Sequence, residues 1–411
     1  MKFSKLSQLL LVSAIGLIVA TLLTSCEIVT IDYVFVASST SVGGNGQIQT
    51  YDTDSKSGAL RFGQPAVPSG GTQPVAMAID SVYQNLYVAN LGNSSVVHFT
   101  VAGNGILKQA DSITTSSNPV ALGVNSAGTY LYVVSGPNPS VLTAYSLTNG
   151  TIGSQVSQQT LSLAAVSDAY ANDLLVPTGI SVLVNTSAIT GNAVFVSAYD
   201  QSAYNPGGTT SSTANPGWVF GFTIGSGGTL SPSPNSPYKA GIKPVAIAGT
   251  PTNEYVYVVD YASSQLIGYS VRDGDSLVFL INGPFRTGSL PTAIALDPRG
   301  KYIYVTDSIS TSSGGGAVST FVIDLATGTP SSLASTNNGT DTDPVAITVD
   351  AGVGTFVYTA NNQGNSISGF DLSVDSGELT PTQASPYPSG SQPTAVVTAP
   401  AGSHAVETIT P

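Results

Sequence analysis

The chain is poor in the residues that do most enzyme chemistry. It has one cysteine, one tryptophan, two methionines and two histidines in 411 residues, and only 8% of it is charged. An average globular protein carries about 25% charged residues. A single cysteine excludes a disulfide framework, and no spacing of Cys and His suits a zinc site. No phosphate-binding glycine loop and no GxSxG nucleophile turn is present. No run of Lys or Arg exists, and the formal net charge is −12. Nucleic-acid binding is excluded, because neutralising phosphates needs clustered basic groups. A polyanionic substrate is disfavoured for the same reason. No linker composition divides the chain.

What the chain has is a repeat. Pro-x-Ala/Gly followed by large and small residues in alternation begins at Pro74, Pro119, Pro177, Pro244, Pro291, Pro344 and Pro393, at intervals of 45, 58, 67, 47, 53 and 49 residues. Repeats of this length point to a ring or array of supersecondary units. Each anchor has the period of a strand. The alternation sets Val75, Met77 and Ile79 against Ala76 and Ala78. With small rather than polar residues on the second side, both sides of the anchor strand are expected to be buried. A second strand follows with a Tyr-Val-like pair and a small, usually polar, end, as in Leu86–Asn90, Val256–Asp260, Ile303–Asp307 and Val357–Asn361. A third strand carries an aromatic (Tyr51, Phe99, Tyr145, Phe222, Tyr269, Phe321, Phe370), and a glycine turn leads to a short fourth.

The N-terminal copy, Tyr33–Ser38, lacks an anchor, and the last anchor lacks a repeat behind it. The two fragments complete each other if the chain closes on itself, which also removes exposed sheet edges. The expected fold is all-β: a seven-bladed β-propeller of four-stranded blades, closed by its N- and C-terminal strands, over residues 31–411. Residues 161–176, with room for a short helix, and 199–216 are insertions, and long insertions in compact domains are commonly functional. A smaller one spans 311–316. The tail 404–411 has no assigned place.

Residues 1–25 pair Lys2 and Lys5 with an apolar run from Leu9 to Leu23, a signal-peptide pattern. Leu23-Thr24-Ser25-Cys26 resembles the lipobox of bacterial lipoproteins, which implies cleavage before Cys26, acylation of its sulfur, and residues 26–30 as a tether. Removal of the leader takes two positive charges and leaves a net −14. The expected location is the bacterial cell envelope, with the membrane contacted through lipid. Glu27 after the cysteine favours an outer-membrane destination.

The segment Pro291-Thr-Ala-Ile-Ala-Leu-Asp-Pro-Arg-Gly-Lys-Tyr-Ile-Tyr-Val-Thr-Asp307 resembles the repeat of lactonase-type seven-bladed propellers and the related YVTN surface propellers. That resemblance, covering nearly all of 31–400, implies the fold, and it implies 6-phosphogluconolactone-type hydrolysis as one activity among several. Candidate site residues are few. His98 alternates with Val97 and Phe99, which sets it on a blade surface or in solvent, and His404 lies near the terminus. Arg299, in the turn Asp297–Gly300, reads as solvated. Asn90, Asp260, Asp307 and Asn361 occupy equivalent positions in four blades; a ring of oxygens there suits Ca²⁺, while Asx turns suit the same residues without any ion. Trp218 follows the long insertion and suits either ligand stacking or packing. Two functions are expected: a monomeric envelope module binding a saccharide, a lactone or an envelope protein, or a lactone hydrolase.

Overall fold

Seven antiparallel sheets, each led by an anchor strand, stand around a central channel. The computed structural model describes residues 29–39, 44–183, 192–204, 216–309, 314–333 and 338–402. Blade 1 runs outward from Pro74–Ile79 through Asn85–Asn90 and Ser95–Val101 to Leu107–Thr114. Blades 2 to 6 repeat this order from inner strands Pro119–Val124, Leu175–Val182, Pro244–Gly249, Ser289–Leu296 and Pro344–Val349. In blade 7 the chain ends supply one sheet between them. Its inner strand is Pro393–Pro400, and Thr30–Ser39, Asn45–Asp54 and Leu60–Thr72 follow outward. Phe35 lies opposite Val397, and Ser38 opposite Pro393. Closure by the termini is therefore as the repeat count predicts.

The Pro-x-Ala/Gly motif has a geometric cause. In all seven blades the register to the second strand slips between the proline and the residue two along, so x is an extra, unpaired residue. Such a bulge re-aims one side chain. Where x is threonine, its hydroxyl crosses to the next blade's anchor. Thr178 donates to Pro244 O at 2.9 Å, Thr292 to Pro344 O at 2.5 Å and Thr394 to Pro74 O at 2.6 Å. The slip corrects the expected alternation: Val75 packs toward blade 2 with Ala76 and Ala78, whereas Met77 and Ile79 pack toward blade 7. Burial of the anchor is also less than expected. Val75 to Ile79 are all only half-buried, since the inner strand borders the channel, and the second strand, Asn85–Asn90, is the fully buried one.

The core lies between blades. Seven apolar clusters form, one per junction. The second-strand tyrosines Tyr87, Tyr132, Tyr257, Tyr304 and Tyr358 help to fill five of them, and three of these send their hydroxyls outward to the next blade's outermost turn. Tyr87 donates to Gly150 O at 2.6 Å, Tyr257 to Gly328 O at 2.6 Å and Tyr358 to Gly58 O at 2.8 Å. Such a partner satisfies a buried phenol; the hydroxyls of Tyr132 and Tyr304 are buried without one. The fourth strand departs from the expected brevity: it runs 13, 8 and 10 residues in blades 7, 1 and 2. In blade 3 it breaks into Leu230–Pro232 and Tyr238–Lys239, because Pro232, Pro234 and Pro237 offer no N–H to a ladder. The 161–176 insertion contains a single 3-10 turn, Asp168–Tyr170, rather than an α-helix.

Candidate functional site

Every inner strand starts at one end of the channel, the proline mouth, and finishes at the other, the aspartate mouth. Both large insertions open onto the proline mouth at blade 3, side by side: Gln201 N donates to Leu174 O at 2.8 Å. Next to them, the loop entering blade 4 is held by Asp260. One carboxylate oxygen accepts the N–H groups of Lys243 (2.8 Å) and Ala262 (3.1 Å); the other accepts those of Ile242 (2.8 Å) and the Ser263 hydroxyl. Tyr261 N closes the arrangement on Lys243 O at 3.0 Å. With its backbone pinned, Lys243 extends its ammonium among three tyrosine rings, 4.8 Å from Tyr261, 5.4 Å from Tyr204 and 5.7 Å from Tyr199. Tyr199 and Tyr204 meet edge to face at 5.4 Å. Ring faces attract a cation at these distances.

A second cation–aromatic pair adjoins the first. Lys239 Nζ lies 3.6 Å from the Trp218 ring centre, on the strand register that sets the two residues opposite each other. Trp218 is 5% exposed, so it packs, and the lysine covers what shows. Burial lowers the Lys239 pKa, and the charge of Asp200 draws it partly back. The buried Asp200 faces Asp173, whose carboxyl is pushed up first by burial, then by a hydrogen bond and repulsion from Asp200. From Lys239 a cleft of about 470 Å³ runs past Gly241, Ile242 and Ser263 to Phe279 and Pro284. That volume suits a small molecule.

The structure thus brings Asp260 and Trp218 to one rim and leaves the other candidates elsewhere. Asn90, Asp307 and Asn361 lie at the proline mouth of blades 1, 5 and 6, each fully buried. Asn90 accepts from Ser69 Oγ at 2.6 Å and donates to Ser69 O at 3.1 Å. Asn361 donates to Ser366 and Ser368 hydroxyls at 3.0 and 2.9 Å. Asp307 accepts from Ser319 Oγ at 2.6 Å, and burial pushes it up to about 7, with that hydroxyl drawing it partly back. Each therefore ties strands of its own neighbourhood together. Among the described residues no three His, Cys, Asp or Glu side chains are grouped as metal ligands. Cys26, His404 and residues 205–215 of the long insertion lie outside the described residues.

Two expectations are corrected. His98 is not at a surface: it is 1% exposed, stacked on Tyr87, with Nδ1 2.7 Å from Asp111 and Nε2 2.9 Å from Asn85. Asp111 also accepts Ile152 N of blade 2, and Asn85 donates to Asp80 at 2.7 Å. The alternation was read correctly, but the side it points to is a blade junction. Arg299 is not solvated either. It donates to Asp297 (2.9 Å), Gly354 O (2.8 Å) and Val353 O (3.0 Å), and so clamps blade 5 to blade 6. At the aspartate mouth, Asp32 is wholly buried beside Asp350, and this burial and the Asp350 charge raise its pKa. Asp350 already accepts four backbone N–H groups, from Val353 to Phe356. Its lone-pair sites are filled, so its work is to hold the turn into the second strand of blade 6.

Lysine 243 and its tyrosines were not singled out in the sequence. A signal existed: Lys243 is the one cation directly before an anchor, Tyr261 directly follows a second strand, and Tyr199 lies at the end of one.

Residues 217–398 match the family model described as Lactonase, 7-bladed beta-propeller. No curated protein matches the chain by sequence. Among solved structures, the periplasmic gluconolactonase of Pseudomonas aeruginosa is 16% identical over 90% of this chain and 100% of its own, with a TM-score of 0.66. A protein of Bacteroides fragilis provisionally described as a 6-phosphogluconolactonase is also 16% identical, over 90% of this chain and 98% of its own, with a TM-score of 0.68. A protein of unknown function from Desulfotomaculum acetoxidans gives 16%, 91%, 99% and 0.65. At this identity the likeness is one of fold, a seven-bladed propeller, and residues 217–398 are similar to the lactonase family model.

Proposed function

We propose that the protein is an envelope lipoprotein whose proline mouth, over blades 3 and 4, binds a small oxygen-rich ring such as a saccharide or lactone. The observation that carries this reading is the Lys243 ammonium set among Tyr199, Tyr204 and Tyr261 beside a small-molecule cleft. Aromatic faces take the apolar side of a sugar ring, and the phenols and ammonium take its oxygens. Calorimetric titration of mature protein with neutral and phosphorylated sugars and lactones tests it. Binding weakened at least tenfold by Lys243→Ala or Tyr261→Ala is expected; binding indifferent to both removes the site.

Hydrolysis of a bound lactone is the second reading, favoured by the match to the lactonase family model. It needs a base for water and a charge facing the developing oxyanion. Lys243 supplies the charge, and the Asp173–Asp200 pair supplies the carboxylate. Turnover of a lactone that survives Lys243→Ala overturns this assignment. The anchor has its own test: Cys26→Ala abolishes acyl labelling and membrane retention, and an unchanged pattern refutes the lipoprotein reading.

A further inference from the structure

We propose that the aspartate mouth at blades 7 and 1 rests on a phospholipid surface, so that the lysine–tyrosine mouth faces away from it. The inference rests on the reading of Cys26 as the lipidated residue.

Cys26 precedes Val29 by three residues. An extended chain spans at most ~3.6 Å per residue, so an acylated Cys26 stays within roughly 11 Å of Val29. Val29 is tied to the aspartate mouth: its carbonyl accepts Ser55 N at 2.9 Å, and next to it Ile31 O accepts Ala401 N at 2.8 Å. The proline mouth lies a strand's length further on, about 20 Å for six residues. A tether of this reach cannot bring that mouth to the bilayer.

The corner around Val29 fits such a neighbour. Phe62 is 64% exposed, Val82 61%, Ile106 44% and Val29 itself 38%. Single exposed apolar residues are ordinary, but these share the end of two adjacent blades where the tether leaves. Lys56 and Arg61 are exposed beside them, in a chain with few basic residues. Of the acids of this corner Asp32 and Asp80 are buried, while Asp52 opposite Arg61 and Asp54, which accepts from the Ser57 hydroxyl and from the Lys56 and Ser57 N–H groups, balance the two bases. Exposed apolar side chains on a face without net negative charge from its surface groups suit the interfacial layer of a bilayer.

Cys26 is the one cysteine, so once acylated it leaves any introduced cysteine as the one free thiol. Full-length protein carrying Val82→Cys or, separately, Ala262→Cys at the opposite mouth is labelled with bimane. Each is reconstituted into phosphatidylethanolamine–phosphatidylglycerol vesicles with brominated acyl chains. The expected result is at least twofold quenching at position 82 and none at 262. Equal quenching at both, or quenching at 262 alone, overturns the orientation. A signal at 82 that follows protein concentration rather than bromolipid assigns the corner to a second copy and also overturns it. Mass spectrometry of the N-terminal peptide separates the two layers. Unmodified Cys26 removes the anchor reading and the orientation together, whereas acylated Cys26 without quenching at 82 removes the orientation alone.

Discussion

Thr394 Oγ1 donates to the carbonyl of Pro74 at 2.6 Å, across 320 positions of the chain. This single bond joins the last inner strand to the first and seals the ring beside the channel. Thr394→Val keeps the shape, since valine stands at the same place in blades 1, 2, 4 and 6, and removes only the donor. The expected cost is about 1 kcal/mol, read as a lower urea midpoint with an unchanged slope. A midpoint equal to wild type would mean that the hydroxyl contributes nothing to closure.

The outer turns give a matched pair of glycine tests. Gly328 has φ +70°, and a Cβ there meets the Tyr255 ring at 2.2 Å; Gly227 has φ +69° with nothing within 4 Å. Gly227→Ala should cost about 1–2 kcal/mol for the left-handed backbone alone. Gly328→Ala should cost about 2–4 kcal/mol, because the ring must also leave its place against the next blade. Equal losses would show that the junction gives way freely.

Buried carboxyls predict a pH dependence of stability. Asp307 binds its proton more tightly folded, near 7, than unfolded, near 3.9. Its stabilising share is complete below about pH 4 and is lost as pH rises through about 7. Asp32, raised by burial and by Asp350, adds a loss that continues to higher pH. Thermal unfolding from pH 5 to 9 should therefore show falling stability, by an amount on the order of a few kcal/mol. Asp307→Asn should flatten the neutral part of the curve and Asp32→Asn the alkaline part. Stability that rises with pH contradicts both assignments.

Replacing His98 by leucine leaves Asp111 and Asn85 facing a buried apolar group. The expected loss is about 2–4 kcal/mol, with no change in ligand binding at the proline mouth. A loss under about 0.5 kcal/mol would place the imidazole at the surface after all.

The ring was legible because one pattern repeats seven times, and because its two incomplete copies are complementary. What period-2 reading could not give was the bulge inside that pattern. A slip after the proline reverses Val75 but leaves Met77 and Ile79 correct. His98 and Arg299 were misplaced for a related reason. Arg299 reaches Val353 and Gly354 of the next blade, and His98, though held by Asn85 and Asp111 of its own blade, lies under blade 2 through Ile152 N, so neither neighbour is announced within one repeat. The Lys243 cluster is assembled from two blades and an insertion, and only its position relative to the anchors was visible beforehand.

Threonine and valine nearly take turns behind the anchor prolines: valine in blades 1, 2, 4 and 6, threonine in 3, 5 and 7. Seven is odd, so strict alternation around a circle is impossible, and two like neighbours must meet somewhere. They meet between blades 1 and 2. That junction has no hydroxyl rung of this kind, as is true of the seams after blades 2, 4 and 6, and it is where His98, Asp111, Asn85 and Ile152 N interlock. Junctions 1–2 and 2–3 are therefore the one place around the wheel where two rungless seams follow each other, and the first of them is the seam tied by the imidazole.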